Sequence, residues 1–214
     1  MKKIIIQNPL FSGMSEQELE NALKALDATK SEYCKNEILV AAGGRLARFG
    51  LVLSGKVEVC FTDIDGNEAL MASVSEGDTF GESLCWLTMN DIPVTVTAVS
   101  EVSVLWLSPE RLRSNDSSDT VHNLRNRFLS MLAGKTLAMN DRIQILAKPT
   151  IREKLIVFLS QCSVKNGSKT FSVPFDRETM ARYLGVNRAA LSRELSTMQK
   201  EGIIEFYRNS FKIL

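Results

Sequence analysis

Residues 176–195 read Asp-Arg-Glu-Thr-Met-Ala-Arg-Tyr-Leu-Gly-Val-Asn-Arg-Ala-Ala-Leu-Ser-Arg-Glu-Leu, which predicts two short helices joined by a tight turn that contains glycine. Ala181 is small where the first helix must let the second approach, and Gly185 stands where the backbone has to turn sharply. Met180, Leu184, Val186, Leu191 and Leu195 recur at the spacing of one buried face. Asp176 and Asn187 each precede a helix as N-caps whose side-chain oxygens accept from first-turn amides. The second helix then presents Arg188, Ala189, Ser192 and Arg193 on its polar or small side. Such a helix pair has the geometry that sets its second helix in the major groove of double-stranded DNA, with Asn187 starting that helix.

The segments around this pair extend the same domain. Lys148-Pro149-Thr150 breaks the chain before an amphipathic helix expected over Ile151–Cys162, followed by a turn at 165–169 and a strand over Thr170–Val173. Beyond the pair, Gly202 stops the helix, and Ile203–Tyr207 is expected to pair with Ser210–Leu214 around Arg208-Asn209. That hairpin is a wing, so 148–214 reads as a winged helix-turn-helix domain. Charge agrees with this: from 148 onward there are 12 Lys and Arg against 6 Asp and Glu, whereas residues 1–147 hold 14 against 19. The formal net charge of +1 hides an acidic front and a basic tail.

Ahead of the break, 119–147 reads as one long helix carrying two apolar stripes. Val121, Leu124, Phe128 and Met131 step by three and four, and so do Leu129, Leu132, Thr136, Met139, Ile143 and Leu146. One stripe is expected to pack on the preceding domain and the other on a second copy across a two-fold axis, giving a homodimer. On that expectation Phe128→Asp yields monomers. Residues 1–118 open with a helix over 15–26, with Ser15 as N-cap and Glu18 completing a capping box. Short alternating or β-branched runs follow between Ile38 and Leu107: Leu51–Leu53, Lys56–Phe61, Ala69–Ala72, Val94–Val99 and Val102–Leu107. The turns between them fall at Gly43-Gly44, Ser54-Gly55, 63–67 and 76–78. Many short strands with close turns predict an antiparallel, jelly-roll-like β-roll, so the fold class is α+β: β-roll, long helix, winged helix.

Several function classes lack their chemistry. The cysteines at 34, 60, 85 and 162 are scattered with no Cys-x-x-Cys spacing and no secretory segment ahead of them. They read as free thiols in a reducing cytoplasm, inert core fillers unless one serves as a redox switch. No run is long enough to span a bilayer. His122 is the sole histidine, too few for a cupin-type metal site, and neither a Ser-His-Asp set nor a Walker loop is present. Neither an enzyme nor a metal site nor a resident cofactor is expected. The competing reading is a cyclic-nucleotide-binding-like sensor or interaction module that binds no DNA, which Arg188 and Arg193 at groove-facing positions oppose.

Four strings occur in a fixed order: Asn8-Pro9-Leu10-Phe11, Leu53-Ser54-Gly55-Lys56-Val57, Gly77-Asp78-Thr79-Phe80-Gly81-Glu82, and Gly185-Val186-Asn187-Arg188 leading to Leu191-Ser192-Arg193-Glu194-Leu195. With them, nearly the whole chain resembles the CRP/FNR superfamily of bacterial transcription regulators. The resemblance implies a cyclic-nucleotide-binding-type sensor (1–118), a dimerisation helix (119–147), a DNA-binding domain (148–214), a palindromic operator, and RNA polymerase as a further partner. It implies that Arg193 reads guanine, that Arg188 contacts phosphate or base, and that Ser192 contributes to readout. Arg177, Thr179, Arg208 and Lys212 are weaker candidates for phosphate contact. At Ala189 this chain departs from relatives that carry glutamate, and a methyl group there reaches at most a thymine methyl. The implied effector pocket takes Gly81, Glu82, Ser83, Ile92, Pro93 and Leu137. Ile92-Pro93 falls where cyclic-nucleotide binders hold phosphate with an Arg-Ser or Arg-Thr pair, and offers neither charge nor hydroxyl. Cyclic AMP is therefore not the expected ligand. An apolar small molecule or no effector remains, since the iron–sulfur branch needs an N-terminal cysteine cluster and only Cys34 lies there.

Overall fold

Along Val94–Ala98, buried and half-buried side chains alternate residue by residue, the pattern of a strand with one face on a core. That strand belongs to a β-roll in the computed structural model of the chain, which describes residues 1–62, 68–173 and 175–214. The turn expected at 63–67 lies outside the described residues. The chain divides inside its longest helix into two compact units, Met1–Gly134 and Lys135–Leu214.

In the first unit, α1 (Lys2–Ile5) and α2 (Glu16–Ala25) precede β1 (Thr29–Tyr33), β2 (Ile38–Val40), β3 (Phe49–Ser54), β4 (Lys56–Thr62), β5 (Glu68–Ser75) and β6 (Thr79–Phe80). Then come α3 (Glu82–Trp86), β7 (Val94–Ala98), β8 (Val102–Leu107), α4 (Glu110–Arg113) and the start of α5 (Asp119–Leu146). The strands form two antiparallel sheets, ordered β1-β8-β3-β6 and β2-β7-β4-β5. Strands β3 and β8 are buried almost throughout and pair Phe49 with Leu107 through Val52 with Val104. The expected runs fall on strands, except that Val99 lies just past the end of β7. Strand β1 escapes the sequence pattern because Thr-Lys-Ser-Glu-Tyr is polar and mostly exposed. It holds its place through the edge of β8, where the Trp106 indole donates to the Tyr33 hydroxyl at 2.9 Å.

The capping box on α2 is present, with the Glu18 amide donating to Ser15 Oγ and the Ser15 amide donating to the Glu18 carboxylate. The Asn8-Pro9-Leu10-Phe11 string has a mechanical role: buried Asn8 donates to the Gly77 carbonyl and accepts from the Leu10 amide. It thereby fastens the N-terminal segment to the β5–β6 turn, and Leu10 and Phe11 enter the core.

The two stripes of α5 part company. Val121, Leu124, Phe128 and Met131 are buried in the β-roll core, with the Phe128 ring 5.4 Å from Phe49 and 5.1 Å from Trp86. In the second stripe Leu129, Thr136, Met139, Ile143 and Leu146 are exposed, whereas Leu132 is half-buried and packs against the β-roll core. This corrects the expectation for Phe128→Asp: a fully buried aspartate there costs the β-roll its packing and does not report on a dimer seam.

In the second unit, α6 (Ile151–Asn166), β9 (Thr170–Ser172), α7 (Arg177–Leu184), α8 (Arg188–Lys200), β10 (Ile204–Tyr207) and β11 (Ser210–Ile213) follow the end of α5. The sheet order is β10-β11-β9. A capping box that the sequence reading missed starts α6: the Glu153 amide donates to the Thr150 hydroxyl while the Thr150 amide donates to the Glu153 carboxylate. The helix runs four residues beyond the expected Cys162, because Lys165 and Asn166 are compatible with a helix and the left-handed stop comes at Gly167. Leu155, Phe158, Met180, Leu184, Leu191 and Leu195 share one core with the wing residues Ile204 and Phe211. Ile145 carries the end of α5 into it.

Candidate nucleic-acid interface

The helix pair is set by its caps and its turn. Asp176 accepts from the Thr179 amide at 2.7 Å, starting α7. At the other end Gly185 takes φ 62° and ψ 46°, and the Val186 amide returns to the Ala181 carbonyl at 3.0 Å, closing a Schellman-type stop. A side chain at Gly185 would be strained by that φ, and its Cβ would also lie 3.3 Å from Leu146 Cδ2. Asn187 Oδ1 then accepts from the amides of Ala189 and Ala190, at 2.9 and 3.3 Å, and starts α8.

Burial divides α8 cleanly. Leu191, Leu195 and Met198 are fully buried, each worth about 1.5–3 kcal/mol over exposure. Asn187, Arg188, Ala189, Ser192 and Arg193 are exposed. Spacing by three and four brings these five together along one side at the N-terminal half of the helix. Arg193 has no ion pair among the described residues. Arg188 Nε lies 3.7 Å from Glu178 with both side chains more than half exposed, so solvent screens the pair and leaves the guanidinium available. Ser196, which the sequence reading did not single out, prolongs the same side one turn beyond Ser192 and donates to the Ser192 carbonyl.

The weaker candidates scatter. Arg177 does not join the exposed face. Its guanidinium lies over the Phe206 and Phe211 rings at 5.1 and 5.2 Å, and its Nη2 donates to the Arg208 carbonyl at 2.6 Å. Burial lowers its pKa from the usual arginine value. Arg177 thus pins the wing, a role that sequence spacing cannot reveal because β10 and β11 arrive from thirty residues downstream. Thr179 is half-buried at the third turn position of α7. Lys212 is paired with Glu205 at 3.1 Å. Arg208 occupies the wing turn with φ 50°, its guanidinium 5.5 Å from the exposed Tyr207 ring.

The residues expected around an effector differ in their surroundings. Gly81 is left-handed at the start of α3, and a Cβ there would lie 2.5 Å from Leu46 Cδ2. Glu82 is buried, whereas Ser83 and Pro93 are exposed. Ile92 is fully buried in the β-roll core; its amide donates to the Gly44 carbonyl at 3.1 Å and its carbonyl accepts from Gly43 at 2.9 Å. Leu137 lies in the second unit and is exposed. A groove of about 600 Å³ elsewhere on the first unit is lined by Trp86, Leu112, Arg113, Asp116, His122 and Arg125, and touches none of the six. Its two guanidiniums serve the backbone: Arg125 donates to the carbonyls of Leu112, Ser114 and Asp116, and Arg113 to those of Cys85 and Trp86.

Among the described residues no three His, Cys, Asp or Glu side chains gather as metal ligands, and no helix is long and apolar enough to cross a membrane. The four cysteines are free thiols. Cys85 is the most perturbed: burial, helped by the charge of Glu82, pushes its thiol up to about 12.

The sequence pattern of the cyclic nucleotide-binding domain matches residues 30–115, and that of the Crp-like helix-turn-helix domain matches residues 153–214. The chain is 26% identical over 196 residues to the anaerobic regulatory protein of Haemophilus influenzae, covering 89% of this chain and 74% of that one. It is equally identical to the fumarate and nitrate reduction regulatory protein of Shigella dysenteriae, covering 89% and 76%. Among solved structures, FixK2 from Bradyrhizobium japonicum shares the fold with a TM-score of 0.61 at 22% identity, over 87% of this chain and 92% of that one. The c-di-GMP responsive regulator CLP of Xanthomonas campestris does so with a TM-score of 0.65 at 16% identity, over 93% and 99%.

Proposed function

This chain belongs to the CRP/FNR superfamily of transcription regulators, and on that premise we propose that it binds a palindromic DNA operator sequence-specifically as a homodimer. The observation that carries the proposal is the exposed side of α8, where Arg188, Ala189, Ser192 and Arg193 stand together above a fully buried Leu191-Leu195-Met198 face. Arg193 has the donor fork that matches guanine O6 and N7, Arg188 contacts phosphate or an adjacent base, and Ser192 adds a hydroxyl contact. Ala189 leaves its base pair without a hydrogen-bonding partner and favours a thymine methyl. The wing adds backbone contacts through Arg208, held in position by Arg177.

The exposed residues Leu129, Met139, Ile143 and Leu146 of the second stripe support a two-fold pairing of α5, which relates two recognition helices as a palindrome requires. RNA polymerase is the further macromolecular partner, the protein acts in the cytoplasm, and it performs no catalysis. Any effector is a small molecule other than cyclic AMP, because Ile92 is committed to the β-roll core and Pro93 has no donor for a phosphate.

Selection of bound duplexes from a random pool with the purified protein tests the proposal. The expected product is an inverted repeat whose half-sites are centred about 10–10.5 base pairs apart or a multiple of that. A pool that shows no enrichment, with or without extracted cell metabolites, overturns it.

A further inference from the structure

The apolar knobs of α8 fix which side of the helix faces the core, but apolar contact has no direction and leaves small rotations and axial slips cheap. A second set of contacts has direction. Arg152, in the first turn of α6, donates through Nε to Glu194 at 2.6 Å, and through Nη1 and Nη2 to the two carboxylate oxygens of Glu201 at 2.8 and 3.0 Å. The bonds to Glu201 form a planar two-pronged fork, and Glu194 fills the remaining edge of the guanidinium, a geometry that tolerates little displacement. Glu201 is the C-cap of α8 and Glu194 adjoins Arg193, so the arginine grips the recognition helix at its middle and its end. The Thr150–Glu153 capping box holds the turn of α6 from which Arg152 projects. Two residues on, Lys154 donates to the Leu184 carbonyl at the end of α7.

On the reading that α8 enters DNA, we infer that Arg152 is a positioning residue for sequence recognition: it sets the axial position and roll of α8, and so the placement of Arg193 and Ser192 against base edges, without touching DNA itself. The Glu201 carboxylate carries the mark of the same contact, since hydrogen bonding to Arg152 holds it below the usual carboxylate pKa. The arrangement predicts a loss of discrimination on removing the fork, where loss of a phosphate contact would weaken all duplexes alike and flatten the salt dependence by about 0.9 in log–log slope.

The test uses the full-length protein, the duplex recovered by selection and a scrambled duplex of equal length. Arg152→Gln is expected to weaken binding to the selected duplex about tenfold, leave the scrambled duplex within twofold, and keep the salt slope of the unaltered protein. Arg152→Lys, which pairs as a point charge without the fork, is expected to recover only part of the loss. Glu201→Gln is the companion variant should Arg152→Gln not fold. It is expected to lower discrimination in the same direction, with less than additive loss when combined with Arg152→Lys. Unchanged discrimination in a folded Arg152→Gln or Glu201→Gln overturns the inference, as does an equal loss on both duplexes or a flatter salt slope. If the unaltered protein binds neither duplex, it is the DNA-binding reading that has failed, a result these variants do not produce.

Discussion

Arg193 and Ala189 sit one turn apart on the exposed side of α8, yet they make opposite demands on DNA. An arginine fork discriminates guanine by about 1–3 kcal/mol, whereas a methyl group discriminates weakly. Arg193→Ala is therefore expected to cost about 1–3 kcal/mol at the selected operator and to relax preference at one base pair, as read by binding to a panel of single-base variants. Ala189→Glu is expected to shift preference at its own base pair toward a cytosine or adenine amino group; an unchanged panel contradicts both assignments. These residues were legible in the sequence because caps and period three-four spacing fix a helix face without knowledge of the rest of the chain. Arg177 was not, because its partners Phe206, Phe211 and Arg208 are brought to it by the fold. Among the thiols, burial pushes Cys85 up to about 12, so that it is protonated at neutral and mildly alkaline pH, while Cys34 is exposed. Iodoacetamide at pH 8 is expected to label Cys34 and spare Cys85 in the native protein, by mass spectrometry of the digest. Rapid native labelling of Cys85 would contradict its burial.

Helix α5 is the element with one apolar face buried and another exposed. The period gave both stripes from sequence, but only packing distinguishes the one that belongs to the β-roll, because a buried stripe and a dimer seam share the same apolar spacing. Phe128 is fully buried between Phe49 and Trp86. Phe128→Ala is accordingly expected to lower the stability of the β-roll by about 3–5 kcal/mol in a denaturant titration. Ile143→Asp, on the exposed stripe, is expected to leave the thermal midpoint of the isolated fold nearly unchanged while halving the mass measured by sedimentation equilibrium. A dimer that survives paired Met139→Asp and Ile143→Asp substitutions would remove the proposed seam. The short elements show the limit of periodicity from the other side: α3 and β6 span five and two residues, too few for any period, and are specified by the core they close.

At the scale of the whole molecule, the α+β order of β-roll, long helix and winged helix was readable from turn chemistry and changes of period, since each segment's local preferences agree with its place in the fold. The proposal that the effector is not cyclic AMP rests on Ile92-Pro93, and Ile92 is in the core with its backbone bonded to Gly43 and Gly44. Titration calorimetry with cyclic AMP is expected to show no saturable heat, and a micromolar isotherm would contradict the account of this site. The central claim, that paired arginine-bearing helices read a duplex, is tested most directly by the affinity of the purified protein for the selected operator across a salt series. The account predicts tight binding at low ionic strength that falls linearly in log–log form by about 0.9 for each phosphate neutralised, with the scrambled duplex bound far more weakly. Absence of binding to any duplex throughout the series, with metabolite extract present or not, would contradict it.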